Sequence, residues 1–217
     1  MSNKIVQIGK ATLINGDCME YMSTLKDKKF DLAVVDPPYG IGAGGKKFAS
    51  GTNKFNREIY RSCDWDSKTP DKQYFDELKR CSNDQIVWGG NYFISFLEST
   101  RGFIVWDKLV PEDFSYSMCE FAWTSFDKNA KIFVDSNRKD IINRIHPTQK
   151  PVKLYEWIFA NYAKPGQRIL DTHGGSMSSV IAALNLGFEI VCIEKDEEYF
   201  NTAADRVIKS QQQQRMF

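Results

Sequence analysis

Asp36-Pro37-Pro38-Tyr39 is the stretch of this 217-residue chain best equipped for chemistry. It places a carboxylate, two prolines and an aromatic ring directly after residues 30–35, an apolar, β-branched run with the length of a buried strand. Two consecutive prolines remove two backbone donors and fix φ, so the turn is stiff. A stiff turn can aim a carboxylate, free carbonyl groups and an aromatic face at one planar group. An amine on an aromatic ring suits that set, because its lone pair is delocalised into the ring. A carboxylate and a carbonyl that accept its two hydrogens localise that lone pair, while the aromatic side chain stacks on the extruded base. The competing reading is an ordinary strand-ending turn with a solvated Asp36 and a packing Tyr39, so the rest of the chain must decide.

A second stretch bears on the question. Residues 168–171 read as a strand ending in Asp171, followed by Thr172-His173-Gly174-Gly175-Ser176 and a helix over about 177–186. Residues 188–194 read as a strand ending in Glu194. A glycine pair at a helix entrance with an acid about 20 residues later suits an adenosine-containing cofactor whose ribose hydroxyls the acid holds. The phosphate fingerprint G-x-G-x-x-G is absent and Asp171 would repel a pyrophosphate, which disfavours NAD. A nucleoside with a cationic centre, such as S-adenosylmethionine, fits better. A plain βαβ unit with incidental glycines is the alternative.

The elements that position these stretches follow from periodicity and turn chemistry. Residues 5–8 and 11–15 read as strands, and Asp17 is a good N-cap for a helix over 18–25. Thr69-Pro70 starts a helix with Thr as N-cap and Pro as its first residue. Residues 85–88 and 102–107 read as strands and 91–97 as a short helix. Residues 120–125 and 131–134 form the expected final pair, a hairpin at the sheet edge. Pro151 opens a helix with Leu154, Trp157 and Ile158 on one face. An amphipathic helix bearing Tyr199, Phe200, Ala203 and Val207 precedes a polar, Gln-rich tail over 210–217, expected to be frayed. Alternating strands and helices predict one α/β domain over 1–217, with a mostly parallel, twisted sheet and helices on both faces. Residues 1–135 form its catalytic half and 146–209 its cofactor-binding half.

Composition is ordinary for a globular chain and the net charge is only +1. The distribution is more telling. Residues 40–63 carry five bases (Lys46, Lys47, Lys54, Arg57, Arg61) against Glu58, and 128–153 carry seven bases, Arg138, Lys139 and Arg144 among them, against two acids. Two basic loops flanking the candidate motifs suggest phosphate contacts with duplex nucleic acid, although loop lysines are often merely solvated. The five cysteines are scattered, and with His146 and His173 they match no metal spacing, so no metal is expected. No signal peptide or membrane-length run is evident, which predicts a cytoplasmic protein with reduced thiols.

Taken together these stretches resemble the amino-group (N6-adenine or N4-cytosine) DNA methyltransferases, in the permuted order that puts the catalytic tetrapeptide before the cofactor loop. The resemblance covers most of the chain. It implies a Rossmann-like fold that uses S-adenosylmethionine, with Asp36, Pro37, Pro38 and Tyr39 as the catalytic loop. Gly16-Asp17-Cys18 looks like the acidic turn that reaches the cofactor adenine, and His146-Pro147-Thr148-Gln149-Lys150-Pro151 like the segment closing over its methionine end. Asp171, Thr172, His173, Gly174, Gly175 and Ser176 look like the main cofactor loop, and Glu194 like the ribose acid. Two departures stand out. Thr172 and His173 replace the usual Pro-Phe of that loop, and Met177 stands where a second glycine is common. There is also no separate target-recognition segment, implying recognition that is short, relaxed or completed by a second copy. Asp at the first catalytic position favours adenine over cytosine. A catalytically silent nucleic-acid-binding subunit on the same fold is the remaining alternative.

Overall fold

A computed structural model describes residues 4–43, 64–113, 117–136 and 144–214. Nine strands form one sheet in the order β1-β2-β9-β8-β3-β4-β6-β5-β7. The strands are β1 (Lys4–Ile8), β2 (Ala11–Asn15), β3 (Phe30–Val35), β4 (Ser82–Trp88), β5 (Phe103–Asp107), β6 (Cys119–Thr124), β7 (Lys131–Val134), β8 (Arg168–Asp171) and β9 (Glu189–Glu194). The helices are α1 (Cys18–Ser23), α2 (Lys72–Cys81), α3 (Val152–Tyr162), α4 (Ser178–Asn185) and α5 (Glu197–Gln214).

The central strands β2, β9, β8, β3 and β4 run parallel. Their near-continuous apolar runs follow from burial on both faces. Leu32 and Val34 of β3 join Ile86 and Trp88 of β4 in a core closed by α3, α4 and α5 through Leu154, Ile158, Val180, Phe200 and Val207. Ala33 and Val35 point the other way with Val87, Leu170 and Ile193, against Met22 of α1 and Tyr74, Phe75 and Leu78 of α2. One run of six residues thus feeds two cores, as period-two alternation requires.

The chain leaves β3 through α2 toward β4 on one side, whereas β8 leads through α4 to β9 on the other. β3 and β8 are neighbours, so the winding reverses between them. In open α/β sheets ligands bind in the crevice at such a reversal, beyond the carboxyl ends of the strands. Asp36 follows β3 and Asp171 ends β8, so both acids sit at that crevice.

Several boundaries differ from expectation. α2 begins two residues later than Thr69-Pro70 suggests. Its N-cap is Asp71, whose carboxylate accepts from the Tyr74 N–H at 3.2 Å. α4 starts at Ser178, because Met177 adopts the left-handed conformation at φ +55°. Over 91–97 there is only a 3-10 turn at Gly90–Tyr92. The expected pairing of 120–125 with 131–134 does not form. β6 has both edges occupied, by β4 and β5, and β7 instead runs parallel to β5 on its free edge. The opposite edge is antiparallel, β1 against β2. Part of the expected frayed tail is helical, since α5 continues to Gln214.

Gly89 closes β4 at φ +69°, and a Cβ there would lie 2.2 Å from the Tyr39 ring. Gly89→Ala therefore combines left-handed strain with a backbone–ring clash. It should cost about 2–4 kcal/mol, read as a lower urea midpoint at unchanged m. A loss under about 1 kcal/mol would mean that the Tyr39 ring is free to move aside.

Candidate active site

The turn after β3 sets Asp36 with its side chain 17% exposed. The Tyr39 hydroxyl donates to Asp36 Oδ1 at 2.5 Å. The Tyr39 ring stacks on Tyr92, centroids 4.9 Å apart and planes within 12°, and meets Phe93 edge-on. Gly89 leaves the room for it. Lys150, supplied by the segment before α3 and almost fully buried, ion-pairs with Asp36 Oδ2. Its ammonium also pairs with Glu120 of β6 at 3.1 Å, and its head lies 5.2 Å from the centre of the Trp88 ring. Glu120 is reached in turn by Lys108 at 3.3 Å.

Burial sets the charge states here. It pushes the Asp36 carboxyl up, against the pull of Lys150. Burial works against the Lys150 ammonium, but Asp36 and Glu120 outweigh it and hold its pKa up. Burial also opposes ionisation of Glu120, but Lys150 and Lys108 outweigh that and keep it down. Burial and the adjoining Asp36 carboxylate push the Tyr39 phenol well up. The arrangement presents a carboxyl group paired with a buried ammonium, an aromatic ring and a neutral hydroxyl at the crevice. Together these can accept hydrogens from, and stack against, a planar amine.

The glycine turn lies beside it. The Gly174 N–H donates to the Ile193 carbonyl at 2.8 Å, and a Cβ at Gly174 would meet Cys192 Sγ at 2.6 Å, so β8's loop and β9 touch there. The Gly175 N–H donates to Glu194 at 2.7 Å, and the other Glu194 oxygen accepts from the Asp196 N–H at 2.8 Å. Burial pushes the Glu194 carboxyl up to about 7. Asp171 accepts from Ser179 Oγ at 2.5 Å and from the His173 N–H at 3.1 Å, and burial pushes it up to about 6. Two carboxyl groups flanking one glycine turn suit a cation and disfavour a pyrophosphate.

Thr172 and His173 face α2. The Thr172 hydroxyl lies 2.6 Å from the Tyr74 hydroxyl and 2.9 Å from His173 Nδ1, and the His173 ring meets Tyr74 edge-on. Ser176 is buried, its carbonyl accepting from Arg206 at 2.6 Å. His146 packs between Trp65 and Tyr199, with the Thr148 hydroxyl 3.1 Å from its Nδ1. A Cβ on Gly175 would lie 3.7 Å from the His146 ring. Burial lowers both histidines to about 4, so both rings are neutral at pH 7. Asp17 caps α1 through the Met19 N–H at 2.8 Å and pairs with Lys195 at 2.9 Å. Burial raises the adjoining Cys18 thiol to about 12.

The crevice thus gathers Asp36, Tyr39, Lys150 and Asp171 from distant parts of the chain, with Glu194, Gly175 and His146 alongside. Lys150, expected at the cofactor, lies against Asp36. Glu120, Tyr92 and Trp65 escaped the sequence reading because a lone acid or aromatic in a strand or loop carries no motif. Asp66 escaped too, although its buried carboxylate accepts from the Gly40 and Ala43 N–H groups that follow the catalytic turn. Lys46, Lys47, Lys54, Arg57, Arg61, Arg138 and Lys139 lie outside the described residues, while Arg144 is half-buried two residues before His146. Among the described residues no group of three or more His, Cys, Asp or Glu could hold a metal ion. No helix among them is long and apolar enough to cross a membrane.

Comparison with known proteins agrees with this geometry. The type II methyltransferase M2.DpnII of Streptococcus pneumoniae is 25% identical over 244 residues, covering 91% of this chain and 90% of its own. The fold is that of M1.HpyAVI in its complex with SAM, at TM-score 0.64 and 22% identity over 90% of this chain and 99% of that one. It is also that of the PvuII DNA methyltransferase, described as cytosine-N4-specific, at TM-score 0.61 and 12% identity over 92% and 90% of the two chains. The DNA methylase family model N6_N4_Mtase matches residues 87–205, from the end of β4 through the glycine turn and Glu194 into α5. That match spans more than half of the chain, which therefore belongs to the amino-group DNA methylase family.

Proposed function

We propose that the protein transfers the methyl group of S-adenosylmethionine to the N6 amine of an adenine flipped out of duplex DNA. The observation that carries this reading is the buried Asp36 carboxylate, held at the winding reversal beside the Tyr39 ring and next to the glycine turn. When bound, S-adenosylmethionine supplies an electrophilic methyl on a sulfonium.

The chain's own residues do the rest. Glu194 accepts from the ribose hydroxyls, and Asp17 with Cys18 lines the adenine end. Gly174, Gly175 and Ser176 let the backbone approach closely, while Asp171, Thr172, His173, His146 and Thr148 wall the turn. Tyr39 leaves Tyr92 to stack on the flipped base. Asp36 and the Pro37 carbonyl accept the two amine hydrogens, so the nitrogen lone pair points at the methyl carbon. As the N–C bond forms and the S–C bond breaks, the amine's surplus proton passes to Asp36. Positioning and charge complementarity supply the rate, with no covalent intermediate. Asp rather than Ser at the first catalytic position favours adenine over cytosine. The fold itself does not discriminate, since the cytosine-N4 enzyme PvuII shares it. The basic residues Lys46, Lys47, Lys54, Arg57, Arg61, Arg138, Lys139 and Arg144 are assigned to the DNA phosphates.

Incubation with labelled S-adenosylmethionine and unmethylated duplex DNA, followed by nucleoside analysis, should place label in N6-methyladenine. Label in N4-methylcytosine would reverse the base assignment. Asp36→Ala should lower transfer by about 10³-fold or more while cofactor affinity by calorimetry stays within about twofold. Equal loss of both would remove Asp36 from the chemical step. The raised Glu194 pKa gives a sign for pH. Its carboxylate is the better hydroxyl acceptor, so cofactor affinity should fall roughly tenfold from pH 8 to pH 6, and Glu194→Gln should abolish that dependence. A dependence that persists in the variant would assign it to another group. Charge reversal at Lys46, Lys47, Arg138 and Lys139 should weaken DNA binding and flatten its salt dependence, and unchanged binding would leave those residues merely solvated.

A further inference from the structure

Asp36 has two oxygens, and both are covered by the protein. Oδ1 receives the Tyr39 hydroxyl and Oδ2 the Lys150 ammonium. The two covers differ in how firmly they are held. Tyr39 is held by its bond to Asp36, a long 3.4 Å contact from Lys150, an edge contact with Phe93 and a stack on Tyr92, a ring 45% exposed. Lys150 is 3% exposed, paired to two carboxylates and seated against the Trp88 ring, with the Tyr39 oxygen 3.4 Å from its nitrogen. An incoming amine can displace the first and not the second.

A single ammonium paired only with Asp36 would be free to straddle both carboxylate oxygens, which is where a buried cation meets the most negative charge. Glu120 prevents this. It approaches Lys150 from β6, opposite Trp106 in the register with β5, and pairs with the same ammonium at 3.1 Å while that ammonium contacts Oδ2. Lys108, just past the end of β5, fixes Glu120 from behind at 3.3 Å. Two carboxylates and two ammoniums therefore form one balanced row, Asp36-Lys150-Glu120-Lys108, ending on Oδ2 and leaving Oδ1 as the oxygen that the amine would use.

We infer that Glu120 is a positioning residue of this site: by holding Lys150 on Asp36 Oδ2 it reserves Oδ1, which the Tyr39 hydroxyl covers at rest, as the seat of the target amine. This rests on the methyl-transfer reading of Asp36. The titratable groups facing Asp36 are Tyr39 on its own turn, Lys150 before α3, Tyr155 on α3, Glu120 on β6 and Asp171 at the end of β8, with Lys108 behind Glu120.

The test is the pH profile of methyl transfer to unmethylated duplex DNA by wild type, Glu120→Gln, Lys108→Gln, Lys150→Met and the Glu120→Gln/Lys150→Met pair. Glu120→Gln keeps the shape and an acceptor but removes the charge. Its kcat should fall about tenfold as the ammonium closes over both Asp36 oxygens, with cofactor affinity within about twofold. Its acid limb in kcat/KM should move down by about one pH unit, because a like charge beside Asp36 has gone. Lys108→Gln removes a positive charge from the same row and should move the limb the opposite way. In the Lys150→Met background, Glu120→Gln should have no further effect on kcat. A merely structural Glu120 would lower the melting temperature without moving either limb, and that result overturns the assignment. So does an effect of Glu120→Gln that survives in Lys150→Met. If Glu120→Gln fails to fold, the Lys108→Gln limb decides alone, since an unmoved limb there refutes the row. Wild type that transfers no methyl would refute the methyl-transfer reading and this role with it, whereas active wild type with an unaffected Glu120→Gln refutes only the role.

Discussion

A carboxylate buried at the end of a central strand can keep its charge only if a cation is buried with it. Moving a single ion into a protein interior costs several kcal/mol even after relaxation. Asp36 meets this constraint through Lys150, 114 residues away in the chain. Much of the architecture serves to bring these two together: β3 delivers Asp36, the segment before α3 delivers Lys150, and β6 delivers Glu120 to balance the pair. Losing one partner of such a pair typically costs about 3–5 kcal/mol, because the other is left uncompensated. The row therefore ties catalytic geometry to folding. A chain whose antiparallel edge slipped by one residue would turn Glu120 to the other face and strand the ammonium.

The second constraint is the reversal of winding between β3 and β8. It sets two acids, Asp36 and Asp171, on adjacent strand ends, where like charges disfavour each other's ionisation. Their surroundings separate them. Asp36 is matched by an ammonium, whereas Asp171 has only a hydroxyl and a backbone N–H and titrates near 6. Glu194, held by two backbone N–H groups, titrates near 7. Asp36 thus carries its compensating charge within the fold, while the two acids beside the glycine turn lack a cation of their own. A cation arriving there would lower both and be held more tightly for it.

What the sequence revealed tracks how local the governing interaction is. The β3 run, the glycine turn and the acids at strand ends were legible because alternation, glycine conformation and spacing are short-range properties. The sheet's parallel centre followed from the alternation of strands and helices. The edge did not: β6 and β7 both read as strands, and nothing local says that β5 lies between β4's neighbour and β7. The start of α2 was misread because Thr69-Pro70 and Asp71 offer overlapping capping signals, and only geometry gives the bond to Tyr74. Lys150 was legible as a site residue but not as the partner of Asp36, and Glu120 was not legible at all. A charge pair across 114 residues leaves no periodicity in either segment.

The departure at Thr172-His173 bears on whether the fold is catalytically silent. Proline in that position fixes φ by its ring; threonine does not, so the loop must be held another way. The Tyr74 hydroxyl can donate to Thr172 Oγ, whose own hydroxyl then donates to Nδ1 of the neutral His173. The His173 ring also meets the Tyr74 face edge-on, where a phenyl ring would pack. The Tyr74 and Thr172 hydroxyls each have a partner and the imidazole is neutral, so the substitution adds no uncompensated buried charge. A decaying loop would be expected to accumulate unsatisfied groups rather than a closed chain of three side chains anchored on α2. The altered residues have exchanged ring stiffness for hydrogen bonding, and the turn that carries Gly174 and Gly175 still reaches the Ile193 carbonyl and the Glu194 carboxylate at the end of β9.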